Sequence, residues 1–148
     1  MFPTINAFKV PAKVDTLAPV RKKLQLLLES AGFDSKATHD VLLSVDEVLT
    51  NVIRHAYKCK PGEPEKGQIS VSFSEFEDRA EIIIEDEGPC FDPRSIPAPK
   101  LPSEKPGGLG IFLVRSLMDE LHYEPLKPQG NRLRIVKFKK AKERNSKP

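Results

Sequence analysis

DEVLTNVIRHAY, residues 46–57, is the stretch on which the fold turns. It is the second half of a helix that Asp34 or Ser35 can cap and that the spacing predicts to run to about Lys58. Val41, Leu42, Val45, Val48, Leu49, Val52, Ile53 and Ala56 recur at helical intervals along it. Glu47 and Asn51 are four residues apart, so they stand one above the other on one face, and Arg54 and His55 extend the same polar side. A carboxylate and an amide oxygen so placed are a donor set for a divalent cation and can orient a hydroxyl or a water. At about 100° per residue, however, the same residues lie opposite the centre of the apolar arc, where an ordinary amphipathic helix has its solvated face. Pattern alone leaves both readings open.

On the C-terminal side, KPGEPEKG (Lys60–Gly67) is a turn-rich loop. Two strands follow: Gln68–Glu77, alternating Ile69, Val71 and Phe73, and Ala80–Asp86, with Ile82, Ile83 and Ile84. Glu77, Asp78 and Arg79 read as the hairpin turn between them. Gly88–Pro106 lacks periodicity and holds six of the 14 prolines, as functional or mobile segments do. A glycine-rich turn then opens an apolar helix from about Leu109 to Leu121, and Tyr123–Lys127 and Arg132–Lys139 read as a closing strand pair around Pro128–Asn131. On the N-terminal side, Ile5–Val10 is an edge-strand candidate. Val14–Ala31 carries Leu17, Val20, Leu24, Leu27, Leu28 and Ala31 at helical spacing before Gly32 ends the helix. Helices grouped apart from hairpin strands imply an α+β sandwich, with the helices covering one sheet face, and exclude a doubly wound Rossmann alternation.

The 148 residues suit a single domain, with a core from about residue 8 to residue 140 and a basic tail over 141–148. The longest apolar run, Ile111–Val114, is far short of the roughly 20 residues of a membrane span. MFPTINAFKV has neither the basic start nor the apolar core of a signal peptide, so a cytoplasmic location is expected. Cys59 and Cys90 match no zinc spacing and are too few for a disulfide scaffold. A net charge of +3 does not by itself imply nucleic-acid binding. From Lys137 onward, six Lys or Arg against one Glu read first as a solvated terminus and second as a contact for an acidic partner.

Two further segments carry chemistry. In EDEGPCFDP (Glu85–Pro93) a strand of isoleucines ends in Asp86, with Gly88 two residues on. A carboxylate at a strand end accepts from an exocyclic amine, and a glycine beside it lets a flat base approach the backbone; a plain acidic turn closed by prolines is the alternative. In KPGGLGIFLVRSL (Lys105–Leu117), adjacent glycines at a helix start leave N–H groups and the positive end of the helix dipole for phosphate, with Lys105 adding charge. GGLG is neither the Walker pattern nor the dinucleotide fingerprint.

Taken in order, the three segments resemble the N, G1 and G2 boxes of the Bergerat (GHKL) ATPases. Within that superfamily EVLTNVIRHAY followed by GGLGIFLVRSLMDEL is most similar to the small bacterial anti-sigma-factor serine-protein kinases, over roughly Phe8 to Lys140. The resemblance implies a two-layer sandwich with helices on one face of a mixed, mostly antiparallel sheet. It implies ATP and Mg2+ as cofactors. Glu47 would be the general base, and Asn51 the Mg2+ ligand. Arg54 and Lys105 would lie near phosphate, Asp86 on the adenine amino group and Gly88 beside the base. Gly108, Leu109 and Gly110 would offer amides to the phosphates, and Gly88–Pro106 would be a lid.

The partners implied are a STAS-type antagonist, phosphorylated on serine or threonine, and a sigma factor, with a homodimer and neither nucleic acid nor membrane. A nucleotide-responsive partner switch without kinase activity is the alternative. A detached histidine-kinase domain fits less well, since Val14–Ala31 carries no phosphoacceptor histidine. Two positions depart from the family pattern: Cys90 stands where many relatives have a second glycine, and the closing strand has Asn131, Arg132 and Leu133 but no threonine.

Overall fold

The computed structural model describes residues 3–57, 67–92 and 110–139. Their order is β1 (Thr4–Pro11), α1 (Leu17–Ser30), α2 (Ser35–Asn51), β2 (Gln68–Glu75), β3 (Arg79–Asp86), α3 (Gly110–Leu117), β4 (Glu120–Pro125) and β5 (Asn131–Phe138). A 3-10 turn over Val14–Thr16 leads into α1, and a π-helical turn over Val52–Ala56 prolongs α2. The expected lid beyond Asp92, Lys105, Gly108, Leu109 and the basic tail lie outside the described residues.

Local chemistry sets the helix ends. Asp34 caps α2, its carboxylate accepting from the Ala37 amide at 2.8 Å. Gly32, at φ +92°, closes α1 with paired reverse bonds, Phe33 N–H to Leu28 O at 3.1 Å and Gly32 N–H to Glu29 O at 3.0 Å.

The five strands form one sheet in the order β1-β2-β3-β5-β4, and all four pairings are antiparallel. Alternation divides its faces. Ile69, Val71, Phe73, Ile82, Ile84, Leu133 and Ile135 point to the core, where they meet Val20, Leu24 and Leu28 of α1, Val41, Val45, Val48 and Leu49 of α2, and Ile111 and Val114 of α3. The opposite face is polar. There Arg132 ion-pairs with its cross-strand neighbours Glu85 and Glu124, and Arg134 with Glu81 at 3.4 Å. This is the α+β sandwich expected, with its sheet entirely antiparallel among the described strands.

The last helix is shorter than its periodicity suggests. It ends at Leu117 instead of Leu121, and β4 begins at Glu120 instead of Tyr123. The Asp119 amide donates to Val136 O at 2.9 Å, and Lys137 Nζ caps the Leu117 carbonyl at 2.6 Å, so the chain passes from helix to ladder within three residues. Leu121 extends the helical pattern only because a strand side chain also packs against the core there.

Candidate functional site

The polar side of α2 is not a solvated face. Asn51 is only 5% exposed, and Glu47 is half-buried. The start of α3 lies across them: a Cβ on Gly110 would sit 2.8 Å from Glu47 Oε2 and 3.5 Å from Asn51 Nδ2. Helical periodicity cannot reveal this covering, because it comes from an element some sixty residues on. Asn51 Nδ2 is buried and has no hydrogen-bond partner among the described residues, an unusual state for an amide. Burial pushes the Glu47 carboxyl above its ordinary pKa; neighbouring Asp46 adds to the rise, and Arg54 opposes it.

Directly after Asn51 the helix widens into its π turn, closed by the Tyr57 amide on Val52 O at 3.0 Å. Within this turn Arg54 and His55 are exposed, whereas Asn51 before it is buried. His55 stacks on Phe91, with ring centroids 5.1 Å apart and planes at 18°.

Asp86 ends β3 on the core side and is 3% exposed. Its Oδ1 accepts from the Gly88 amide at 2.9 Å and from Asn131 Nδ2 at 2.9 Å. Among the described residues Oδ2 takes no hydrogen bond. Burial raises the Asp86 pKa, against the two hydrogen bonds, which lower it.

The turn after Asp86 is held from three directions. The Glu87 amide donates to the Tyr57 hydroxyl at 2.7 Å, that hydroxyl donates to Gln68 O at 2.7 Å, and Gln129 Nε2 donates to Glu87 O at 2.6 Å. Gly88 is packed tightly: a Cβ there would come within 2.6 Å of the Ala56 carbonyl oxygen. The glycine therefore seats the turn against the π segment of α2, a different reason from the room for a base inferred from sequence. Gly130, at φ +124°, likewise lets β5 approach the Asp86 carbonyl, which a Cβ would meet at 2.6 Å. Cys90, where the family pattern has glycine, directs its thiol to Gly130 O at 3.3 Å.

A narrow, almost wholly apolar cleft opens among these groups. Val48, Val52, Ile84, Ile111, Leu133 and Phe91 form its walls, and Asp86, Asn51 and Asn131 mark its polar points. An apolar slot with a few convergent polar groups is the usual form of a small-molecule site. The structure thus brings together Glu47, Asn51, Asp86 and Gly110, places Gly88 behind the turn, and leaves Arg54 on the surface.

Asn131, Tyr123, Tyr57 and Phe91 contribute contacts that sequence reading did not assign. The signal for Asn131 was its place opposite Asp86 in the β3–β5 register, and that register is fixed only by pairing. Among the described residues no group of three or more His, Cys, Asp or Glu side chains could hold a metal alone. The carboxamide of Asn51 fits Mg2+, which commonly takes few protein ligands and completes its shell with phosphates and water.

Comparison with known proteins identifies the family. The histidine kinase-like ATPase domain family matches residues 10–137. The serine-protein kinase RsbW of Bacillus subtilis is 35% identical over 124 residues, 78% of this chain and 75% of its own length. RsbW of Staphylococcus epidermidis is 33% identical over 147 residues, 93% of this chain and 89% of its own. Among solved structures, the RsbU and RsbW domains of Rv1364c from Mycobacterium tuberculosis superpose with a TM-score of 0.64 at 16% identity. That match spans 91% of this chain and 32% of the other, and it speaks for the fold.

Proposed function

The chain belongs to the histidine kinase-like ATPase domain family, and on that premise we propose that it is an ATP-dependent protein-serine/threonine kinase acting as an anti-sigma factor. It would phosphorylate a STAS-type antagonist and sequester a sigma factor when that antagonist is spent. Its curated relatives are named serine-protein kinases. The observation that carries the reading is the half-buried Glu47, with its raised pKa, set beside the buried Asn51 under the first residue of α3. A carboxylate of raised pKa is a stronger base toward a hydroxyl than an ordinary one.

In this reading the base enters the apolar cleft and gives its amino hydrogens to Asp86 Oδ2. Asn51 Oδ1 would hold Mg2+, which when bound would neutralise phosphate charge. The amides at the start of α3, with Gly108, Leu109 and Lys105 before it, receive the phosphates. Glu47 takes the proton of the attacking hydroxyl. Phosphoryl transfer needs positioning and charge neutralisation above all, and these residues supply both. No helix among the described residues is long and apolar enough to cross a membrane.

Labelled ATP, the protein and a STAS-domain antagonist test the reading together. Transfer to the antagonist is expected, and Glu47→Gln should abolish it while keeping ATP affinity. ATP binding without any transfer by the native protein would favour a partner switch without kinase activity.

A further inference from the structure

Asn131 lines the cleft without a function assigned to it so far, yet its side chain uses its full hydrogen-bonding capacity. Nδ2 donates to Asp86 Oδ1 and to Pro89 O, both at 2.9 Å; Oδ1 accepts from the Phe91 amide at 2.6 Å and from the Tyr123 hydroxyl at 2.7 Å. The residue is 7% exposed and lies directly opposite Asp86 in the register. Gly130 before it permits the close approach of the strands. An amide satisfied at four points has one orientation: turned over, it would face donors with donors and acceptors with acceptors.

We propose that Asn131 is the positioning residue for base recognition: it locks Asp86 with Oδ1 engaged and Oδ2 turned to the nucleotide, and it ties the Pro89–Phe91 wall of the cleft to that carboxylate. This rests on the ATP-binding reading above. Asn131 lies in the closing strand that lacks the threonine of the family pattern, and it reaches the carboxylate directly. This lock also makes purine choice depend on residue 131. An ionised, fixed Oδ2 is a pure acceptor, which suits the 6-amino group of adenine and repels the 6-oxo group of guanine.

Substitutions at 131 act on Asp86 in opposite senses. Asn131→Ala removes a donor from a buried carboxylate, so Asp86 takes up a proton at higher pH than in the native protein. Its acceptor is then lost, and ATP affinity falls as pH falls, from a higher starting pH. Asn131→Asp keeps the shape and both acceptor contacts but sets a second carboxylate against Asp86. The pair then titrates as a unit, and one shared proton restores the donor. ATP affinity in this variant is poor at neutral pH, recovers on mild acidification and falls again once both groups are protonated. The other titratable groups nearby are Tyr123 on β4, Cys90 and Asp92 after β3, and Lys9, Glu85 and Glu87, which line a pocket with Asp86. β2 sets Ile69 beside Asp86, and α2 and α3 contribute Asn51 and Ile111.

The experiment is ATP and GTP titration of the full chain and both variants across pH, with melting temperature recorded for each. We expect ATP affinity at neutral pH to fall about ten-fold or more in both variants, a change of about 1.4 kcal/mol. A narrower ATP-over-GTP preference and pH dependences of opposite sign are expected alongside it. If Asn131→Ala does not fold, Asn131→Asp carries the test through its recovery on acidification. Native-like affinity, purine preference and pH profile in a folded variant would overturn the role of Asn131 while leaving ATP binding intact. Failure of the native protein to bind ATP would instead overturn the functional reading beneath it.

Discussion

Gly110→Ala separates positioning from folding at this site. The added methyl would lie 2.8 Å from Glu47 Oε2 and 3.5 Å from Asn51 Nδ2. The backbone amide stays, so any phosphate contact made by residue 110 is kept. The nearest obstacle is the tip of a flexible side chain, so the carboxylate moves and the helix does not. Bringing 2.8 Å out to an ordinary 3.4 Å contact requires a shift of about 0.6 Å. Leaving a favoured rotamer costs about 0.5–1.5 kcal/mol. Replacing a helical glycine by alanine returns up to about 1 kcal/mol, less at the first residue of α3. Net stability should therefore change by about 1 kcal/mol or less, which moves the melting temperature by no more than about 4 °C in a chain of this size.

Catalysis is far more sensitive. Misplacing a reacting group by about 1 Å can cost about a hundred-fold in rate, so a smaller shift of Glu47 should lower kcat by roughly ten- to a hundred-fold, about 1.4–2.7 kcal/mol of barrier. Single-turnover transfer from labelled ATP to the antagonist reads the rate, and thermal melting reads the fold. A folded Gly110→Ala protein with native kcat would refute the placement of Glu47 as the base.

Gly88→Ala should behave differently, because its methyl meets the Ala56 carbonyl, a backbone group, at 2.6 Å. Loss of about 1–3 kcal/mol of stability is expected, read by chemical denaturation, with weaker ATP binding following from the displaced turn. The acid limb of kcat/KM should respond to the charges around Glu47, since activity disappears as pH falls through the pKa of the base. Asp46 raises that pKa and Arg54 lowers it. Asp46→Asn should therefore move the limb to lower pH and Arg54→Met to higher pH, and equal or reversed displacements in a pH–rate series would exclude Glu47 as the titrating group.

Much of the fold was legible because the decisive signals are local. Period-3.6 apolar residues mark α1 and α2, alternation marks β2 and β3, and Asp34 and Gly32 punctuate the helices. Legibility failed wherever a distant element decided the outcome. Glu47 and Asn51 look solvated along α2 and are covered only because α3 folds back over them. The helical pattern runs past the end of α3 because Leu121, a residue of β4, also packs against the core at helical spacing. Gly88 is also held against Ala56 across the fold, a constraint that no local pattern reveals. Asn131 was noticed only as the place where a threonine is missing; its four bonds follow from antiparallel register and from the turn at Gly130. The order of the three segments carried the site because order survives in sequence when three-dimensional contact does not.

The central claim is that Asp86 and its cleft bind ATP. Melting the native chain and Asp86→Asn with and without millimolar ATP and Mg2+ tests it most directly. At a nucleotide concentration about a hundred times Kd, mass action adds about 2.7 kcal/mol to stability. At about 2–4 °C per kcal/mol, the native protein should melt roughly 5–10 °C higher. Asp86→Asn should show little or no rise. A native protein whose melting temperature does not move with millimolar ATP and Mg2+ would contradict the claim.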